Sequence, residues 1–262
     1  MDDHCASSSP EDLDDFTVDS IFGGDVLLAQ GRKGYRFNVD SALLAAFVDQ
    51  LRGRRILDAC AGVGVVGIAI ARRRPHALVT LVEVQPSLAA FARDNVRRNQ
   101  VSEQVRVLEE DLRYHKGHGG HFDLAVMNPP YFCVGEGKTS PKGERATARH
   151  QMHGALDELI SSIHRHLLAQ SWLVTVFPAQ RIGQLQSALE RVGRRRQLIQ
   201  LIYPFDGQDA TLVIIAARSS RVHETRMLSP LVLHSATTGS YTAHAEEILG
   251  SGRWAWDKGA LS

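Results

Sequence analysis

The stretch Arg55-Ile-Leu-Asp58-Ala-Cys60-Ala-Gly62-Val-Gly64-Val-Val-Gly67-Ile-Ala-Ile-Ala71 decides the fold. A short apolar run meets a glycine-rich turn, and apolar residues then recur at helical spacing, which reads as strand, tight turn, helix. The amino end of such a helix offers unpaired N–H groups and a partial positive charge. The turn alone could serve a nicotinamide dinucleotide equally well. Here Cys60 replaces the first glycine of the dinucleotide pattern and Asp58 precedes the turn. A carboxylate at that point disfavours a pyrophosphate and suits a cationic ligand.

Three more strands follow at βαβ spacing. Leu78–Val82 ends at Glu83, about where an acid accepts hydrogen bonds from ribose hydroxyls. Pro86 opens a helix carrying Asn95 and Asn99, and Val105–Leu108 ends at Glu109, Glu110 and Asp111. An acid there can accept from an adenine amino group. Phe122–Val126 then runs into Met127-Asn128-Pro129-Pro130-Tyr131-Phe132. Two prolines force the strand tip into a stiff, extended corner. Four strand ends are thus expected to present Asp58, Glu83, Asp111 and Asn128 on one rim, the carboxyl end of the sheet, where open α/β proteins bind ligands.

The corner suits alkylation of a planar NH2 group whose lone pair is delocalised into a π system. The Asn128 side-chain oxygen and the Pro129 carbonyl can each accept one N–H, and a proline offers no competing donor. Two acceptors make the nitrogen more electron-rich as positive charge develops on it. Pro130 stiffens the corner, Tyr131 can stack on the substrate's π face, and Phe132 follows it. A plain turn built by a Pro-Pro pair is the competing reading of this tetrapeptide. Residues 133–150, CVGEGKTSPKGERATARH, form a long polar loop whose Lys138, Lys142 and Arg145 can touch phosphates.

Upstream, residues 1–20 hold seven acids and no Lys or Arg and read as a disordered leader. Without them the chain has 22 acids against 30 bases, about +8, which is compatible with a nucleic-acid substrate. Residues 21–54 read as a hairpin, Asp25–Gln30 against Tyr35–Asn38, and a helix capped by Asp40 or Ser41. Downstream, Leu156, Leu159, Ile160, Ile163 and Leu167 form a helical stripe before the strand Trp172–Phe177. Gln197–Tyr203 and Thr211–Ala217 have no helix between them and should pair antiparallel.

The expected fold is therefore α/β. It is a Rossmann-like seven-stranded sheet, mostly parallel, with a C-terminal antiparallel hairpin, its core at 55–218 and an extension at 219–262. That is the sheet plan of S-adenosylmethionine-dependent methyltransferases rather than of dehydrogenases. No apolar run approaches a membrane span, no signal-like segment opens the chain, and three scattered cysteines suit a reduced, cytoplasmic setting. His115, His118 and His121 lack a matching ligand set, so no metal is expected. Cys60 reads as a small turn residue rather than a nucleophile. The runs Arg72–Arg74 and Arg194–Arg196 sit at helix ends or in connections, with RNA contact as the other reading.

Over residues 22–218 the chain resembles the bacterial tRNA(Val) adenine-N6 methyltransferase family, on Tyr35-Arg-Phe-Asn-Val-Asp40-Ser41-Ala-Leu-Leu, Asp58 to Gly67, Glu83, Asp111 and Asn128 to Tyr131. The resemblance implies that S-adenosylmethionine is held by Asp58, Gly62 and Gly64 at its methionine part, Glu83 at the ribose and Asp111 at the adenine, with Asp40 and Asn128 nearby. It implies that Asn128 to Tyr131 receive the target base and that the partner is RNA, in particular tRNA. Val39-Asp40-Ser41 stands where the family usually has Thr-Asp-Gly. The same Asn-Pro-Pro-Tyr motif occurs in release-factor glutamine methyltransferases and DNA adenine methyltransferases, which usually carry further domains. Those acceptors, an rRNA base and a non-catalytic RNA-binding scaffold are the alternatives.

Overall fold

Strand β3 (Arg55–Ala59) is apolar on both faces because it is covered on both: Ile56 packs into one hydrophobic core, Leu57 and Ala59 into a second. The computed structural model describes residues 15–33, 36–114, 121–129 and 155–256. Around β3 lie β4 (Leu78–Glu83), β5 (Val105–Glu109), β6 (Phe122–Met127) and β7 (Leu167–Pro178), all parallel to it. β9 (Leu212–Arg218) inserts antiparallel between β7 and β8 (Arg196–Phe205), which completes the seven-stranded order β8-β9-β7-β6-β3-β4-β5. The expected C-terminal hairpin is this β8–β9 pair. Two short strands from beyond residue 218, β10 (Glu224–Met227) and β11 (Leu231–His234), pair in succession along the outer edge of β8 and bring the sheet to nine strands.

Helices α1 (Val39–Phe47), α2 (Val65–Arg73) and α3 (Pro86–Arg98) cover one face. Helix α4 (155–165) and α5 (Ile182–Arg191) cover the other. Helix α6 (Ala243–Ser251) packs on α1, and Trp254 and Trp256 beyond it place their rings 5.5 and 4.5 Å from that of Phe47. Each such aromatic pair contributes about 1 kcal/mol beyond its buried area.

The N-terminal hairpin sits one strand earlier than expected. β1 (Phe16–Ile21) pairs antiparallel with β2 (Val26–Gly31) around a turn at Phe22–Gly24, so the partner of β2 is β1, and the described residues 36–38 form no strand. Residues 16–20 consequently belong to a strand rather than to a disordered leader. The reason is a period-two alternation in Phe16-Thr-Val-Asp-Ser-Ile that the acidic composition concealed. The other edge of β2 is closed by side chains. Asn95 accepts from the Ala29 N–H and donates to the Ala29 and Val63 carbonyls, and Asn99 does the same for both backbone groups of Leu27. Two amides on one helix thus stand in for a missing strand and tie it to the glycine-rich turn.

Most arginines of the two runs are engaged by the protein itself, although Arg72 stays exposed. Arg72 pairs with Asp25, Arg73 with Asp49 and Arg196 with Glu224. Arg194 is fully buried, donating to the carbonyls of Ser171 and Ala217.

Candidate functional site

Strand register sets the geometry of the rim. Ala59 lies opposite Val82 and Met127, and Glu83 opposite Glu109, so Cys60, Glu83 and Asn128 share one level at the carboxyl end of the sheet. Asp58 is level with Leu81 and Val126, two residues lower. The expectation that Asp58 shares the rim is therefore corrected. Its carboxylate is 1% exposed and accepts the Gly67 N–H of α2 at 2.8 Å from inside the core. Burial, with Glu83 nearby, pushes the Asp58 carboxyl up to about 7. Gly67 is the residue that lets α2 come this close: a Cβ there would lie 2.2 Å from a Leu81 methyl. Gly64 also stays off the cavity wall and serves the turn, as the residue before α2 with φ +90°.

The rim encloses a cavity of about 310 Å³. Asp40, Cys60, Gly62, Glu83 and Asp111 line one half of it. Glu83 is 5% exposed and accepts from the Gly62 N–H at 2.8 Å and the Gln85 N–H at 2.9 Å, one on each oxygen, so the turn after β3 and the turn after β4 hold it together. Asp111 is gripped by Arg113, whose Nε and Nη2 make three bonds to its two oxygens at 2.6–3.1 Å and whose backbone N–H adds a fourth. This pairing holds the Asp111 carboxyl below its ordinary value. Cys60 has φ +58°, and burial among Glu83, Asp58 and Asp111 pushes its thiol up to about 12, so it stays protonated and is no nucleophile at neutral pH.

Asn128, Pro129, Leu156, Leu159, Phe177 and Arg181 line the other half. Asn128 follows the last residue of β6, and its Nδ2 donates to the Ser41 Oγ of α1 at 2.9 Å. With the NH2 side so engaged, the Asn128 Oδ1 is left to accept. Ser41 does not cap α1, whose cap position is Asn38; Asp40, in the first turn, accepts from the Ser41 N–H at 3.0 Å. Arg181 ends the turn after β7, packs over the Phe177 ring at 4.9 Å and donates from Nε to Gln184 at 3.0 Å.

Pro130, Tyr131, Phe132, Lys138, Lys142 and Arg145 lie outside the described residues, as do His115 and His118 of the histidine-rich link. The structure thus brings Asp40, Gly62, Glu83, Asp111, Asn128 and Pro129 to one cavity. To these it adds Phe177 and Arg181 on the wall, and Ser41 against the Asn128 amide, which the sequence pattern alone does not place there. The one visible signal among them was a serine where the resembling family has glycine.

The family model described as the methyltransferase small domain matches residues 35–179. The chain belongs to that family. Among methyltransferase relatives, a protein of Flavobacteriaceae bacterium named tRNA1(Val) (adenine(37)-N6)-methyltransferase is 30% identical over 57% of this chain and 62% of its own length. One of the same name from Shewanella sp. is 27% identical over 80% of this chain and 88% of its own. The chain therefore spans about three fifths of the first relative and most of the second. A solved structure named as a predicted O-methyltransferase from Agrobacterium tumefaciens is 27% identical, with a TM-score of 0.66 over 84% of this chain and 99% of that one. The fold is the Rossmann-like class I methyltransferase fold.

Proposed function

We propose that the protein transfers a methyl group from S-adenosylmethionine to the exocyclic N6 amine of an adenine in tRNA. The observation that carries this reading is the Asn128 amide, held at the end of β6 by Ser41 with its oxygen free to accept, on a cavity that Glu83 and Asp111 also line. The relatives' printed names support the substrate class.

The residues fit the cofactor by their chemistry. Each Glu83 oxygen accepts one backbone N–H and keeps a lone pair for a ribose hydroxyl. Asp40, Glu83, Glu110 and Asp111, all lining the cavity, favour a cationic sulfonium and ammonium and repel a pyrophosphate. When bound, the cofactor supplies the electrophilic methyl group.

The chain's own residues do the rest. Asn128 Oδ1 and the Pro129 carbonyl take the two N–H groups of the target amine, hold it in line with the methyl carbon and stabilise the charge that develops on nitrogen. An adenine presented out of its stack meets these groups at the strand tip. Two acceptors suit NH2 better than a hydroxyl, which has one hydrogen. No helix among the described residues is long and apolar enough to cross a membrane, in keeping with an enzyme that meets tRNA in the cytoplasm.

The deciding experiment supplies tritiated S-adenosylmethionine with bulk tRNA, rRNA, DNA and protein fractions. Label in tRNA recovered as N6-methyladenosine is the expected result. Label confined to rRNA or to glutamine side chains would replace this reading with one of those acceptors, and no label in any fraction would leave a non-catalytic scaffold.

A further inference from the structure

The two halves of the cavity differ in charge. Glu83, Glu110 and Asp111 line the half at β4 and β5, with Asp40 of α1 also on the wall, and Arg113 beside them is neutralised by its bidentate pair with Asp111. In the half beyond Asn128 the wall is apolar, made by Leu156 and Leu159 of α4 and by Phe177, and it carries Arg181. Among the described residues Arg181 has no carboxylate partner within ion-pair distance. Its guanidinium is nonetheless positioned, laid over the Phe177 ring and fixed through Nε by Gln184.

Register places this group beside the reacting corner. Met127 of β6 is opposite Thr175 of β7, so Asn128 is level with Val176 and Phe177 lies one residue further out. Neighbouring strands are about 4.8 Å apart, and Arg181, four residues after Phe177, also lines the cavity. An apolar slot next to the amide, ending in an oriented guanidinium, suits a flat base carrying a phosphate.

We infer that Phe177, Leu156, Leu159 and Arg181 form the acceptor-nucleotide subsite, with the base against the apolar wall and a backbone phosphate on the Arg181 guanidinium. This rests on the proposed methyl transfer to tRNA. Arg181 is a binding residue in this assignment: it sets the affinity for RNA and leaves the chemical step to Asn128 and Pro129.

The test compares wild-type, Arg181→Ala and Arg181→Lys protein in methyl transfer to tRNA at several salt concentrations, with S-adenosylmethionine affinity by calorimetry and melting temperature alongside. Arg181→Ala should raise the KM for tRNA about tenfold, lower the salt slope of log KM by about one and leave kcat within twofold. Arg181→Lys should restore most of the salt slope while remaining weaker, because it lacks the planar fork. Cofactor affinity and melting temperature should be unchanged in both. Loss of cofactor affinity with unchanged tRNA KM would assign the guanidinium to the cofactor carboxylate and overturn the subsite. Unchanged values throughout, in a wild type that methylates tRNA, would overturn it as well. A wild type that binds the cofactor but labels no tRNA would overturn the functional reading on which the subsite rests.

Discussion

The two halves of the cavity are built by different means. On the side of β3, β4 and β5, Glu83 is held by the backbone N–H groups of Gly62 and Gln85, and Asp111 by Arg113 two residues away. On the side of β6 and β7, the Asn128 amide is held by Ser41, 87 residues away in sequence. The first half is made of neighbours within successive βα units, so it forms whenever those units form. The second depends on α1 being pressed against the sheet tip, and α1 in turn packs against α6 and the two tryptophans of the C-terminal segment.

This contrast can be broken most forcefully at Asn128. Asn128→Ala removes one of two acceptors and should lower kcat by about 2–4 kcal/mol equivalent, with cofactor affinity by calorimetry unchanged. An active variant would show that the strand-tip amide is a turn residue only.

Asn95 tests the first half through stability. Asn95→Ala leaves the Ala29 N–H and carbonyl and the Val63 carbonyl without their side-chain partner, and should destabilise the fold by roughly 3 kcal/mol in urea unfolding. A loss under about 1 kcal/mol would mean that water replaces the clamp.

Asp58 gives the same half a pH signature. Its carboxyl is raised to about 7 in the folded chain from the ordinary 3.8, so below pH 4 its contribution to stability is fully present. As pH rises towards 7 the unfolded chain ionises first and that contribution is lost. Asp58→Asn should flatten the decline between pH 4 and pH 7, read as the difference in urea midpoint from wild type. Parallel curves would show that Asp58 ionises normally inside the core.

The smallest expected effect sharpens the second half. Ser41→Ala should cost about 1 kcal/mol in kcat, roughly fivefold, with KM and melting temperature little changed. In an Asn128→Ala background the same substitution should cost nothing further, because Ser41 acts through that amide. Additive losses would make Ser41 a packing residue instead.

Much of the cavity could be read along the chain. Glu83 and Asp111 were placed by counting from a glycine-rich turn, since a βαβ unit puts its acids at fixed offsets. Asp58 was read one layer too high, because a motif gives the order of residues but not their level on the sheet. The hairpin differs for a related reason: nearness to a Gly-bounded turn assigns Tyr35–Asn38 to Asp25–Gln30, whereas the alternating Phe16–Ile21, hidden in an acidic stretch that reads as a leader, is the strand that pairs. Asp40 or Ser41 reads as a helix cap because such side chains near a helix start usually are one, yet the cap position is Asn38.

Local pattern determined the elements and the acids at their ends, since strand period, turn chemistry and helical spacing act over a few residues. What folding decided was which side chains from distant elements meet: Ser41 with Asn128, Arg181 with Phe177 and the cavity wall, the C-terminal tryptophans with α1. Those contacts follow from how helices settle on a twisted sheet and from strand register, and no short stretch of chain encodes either one by itself.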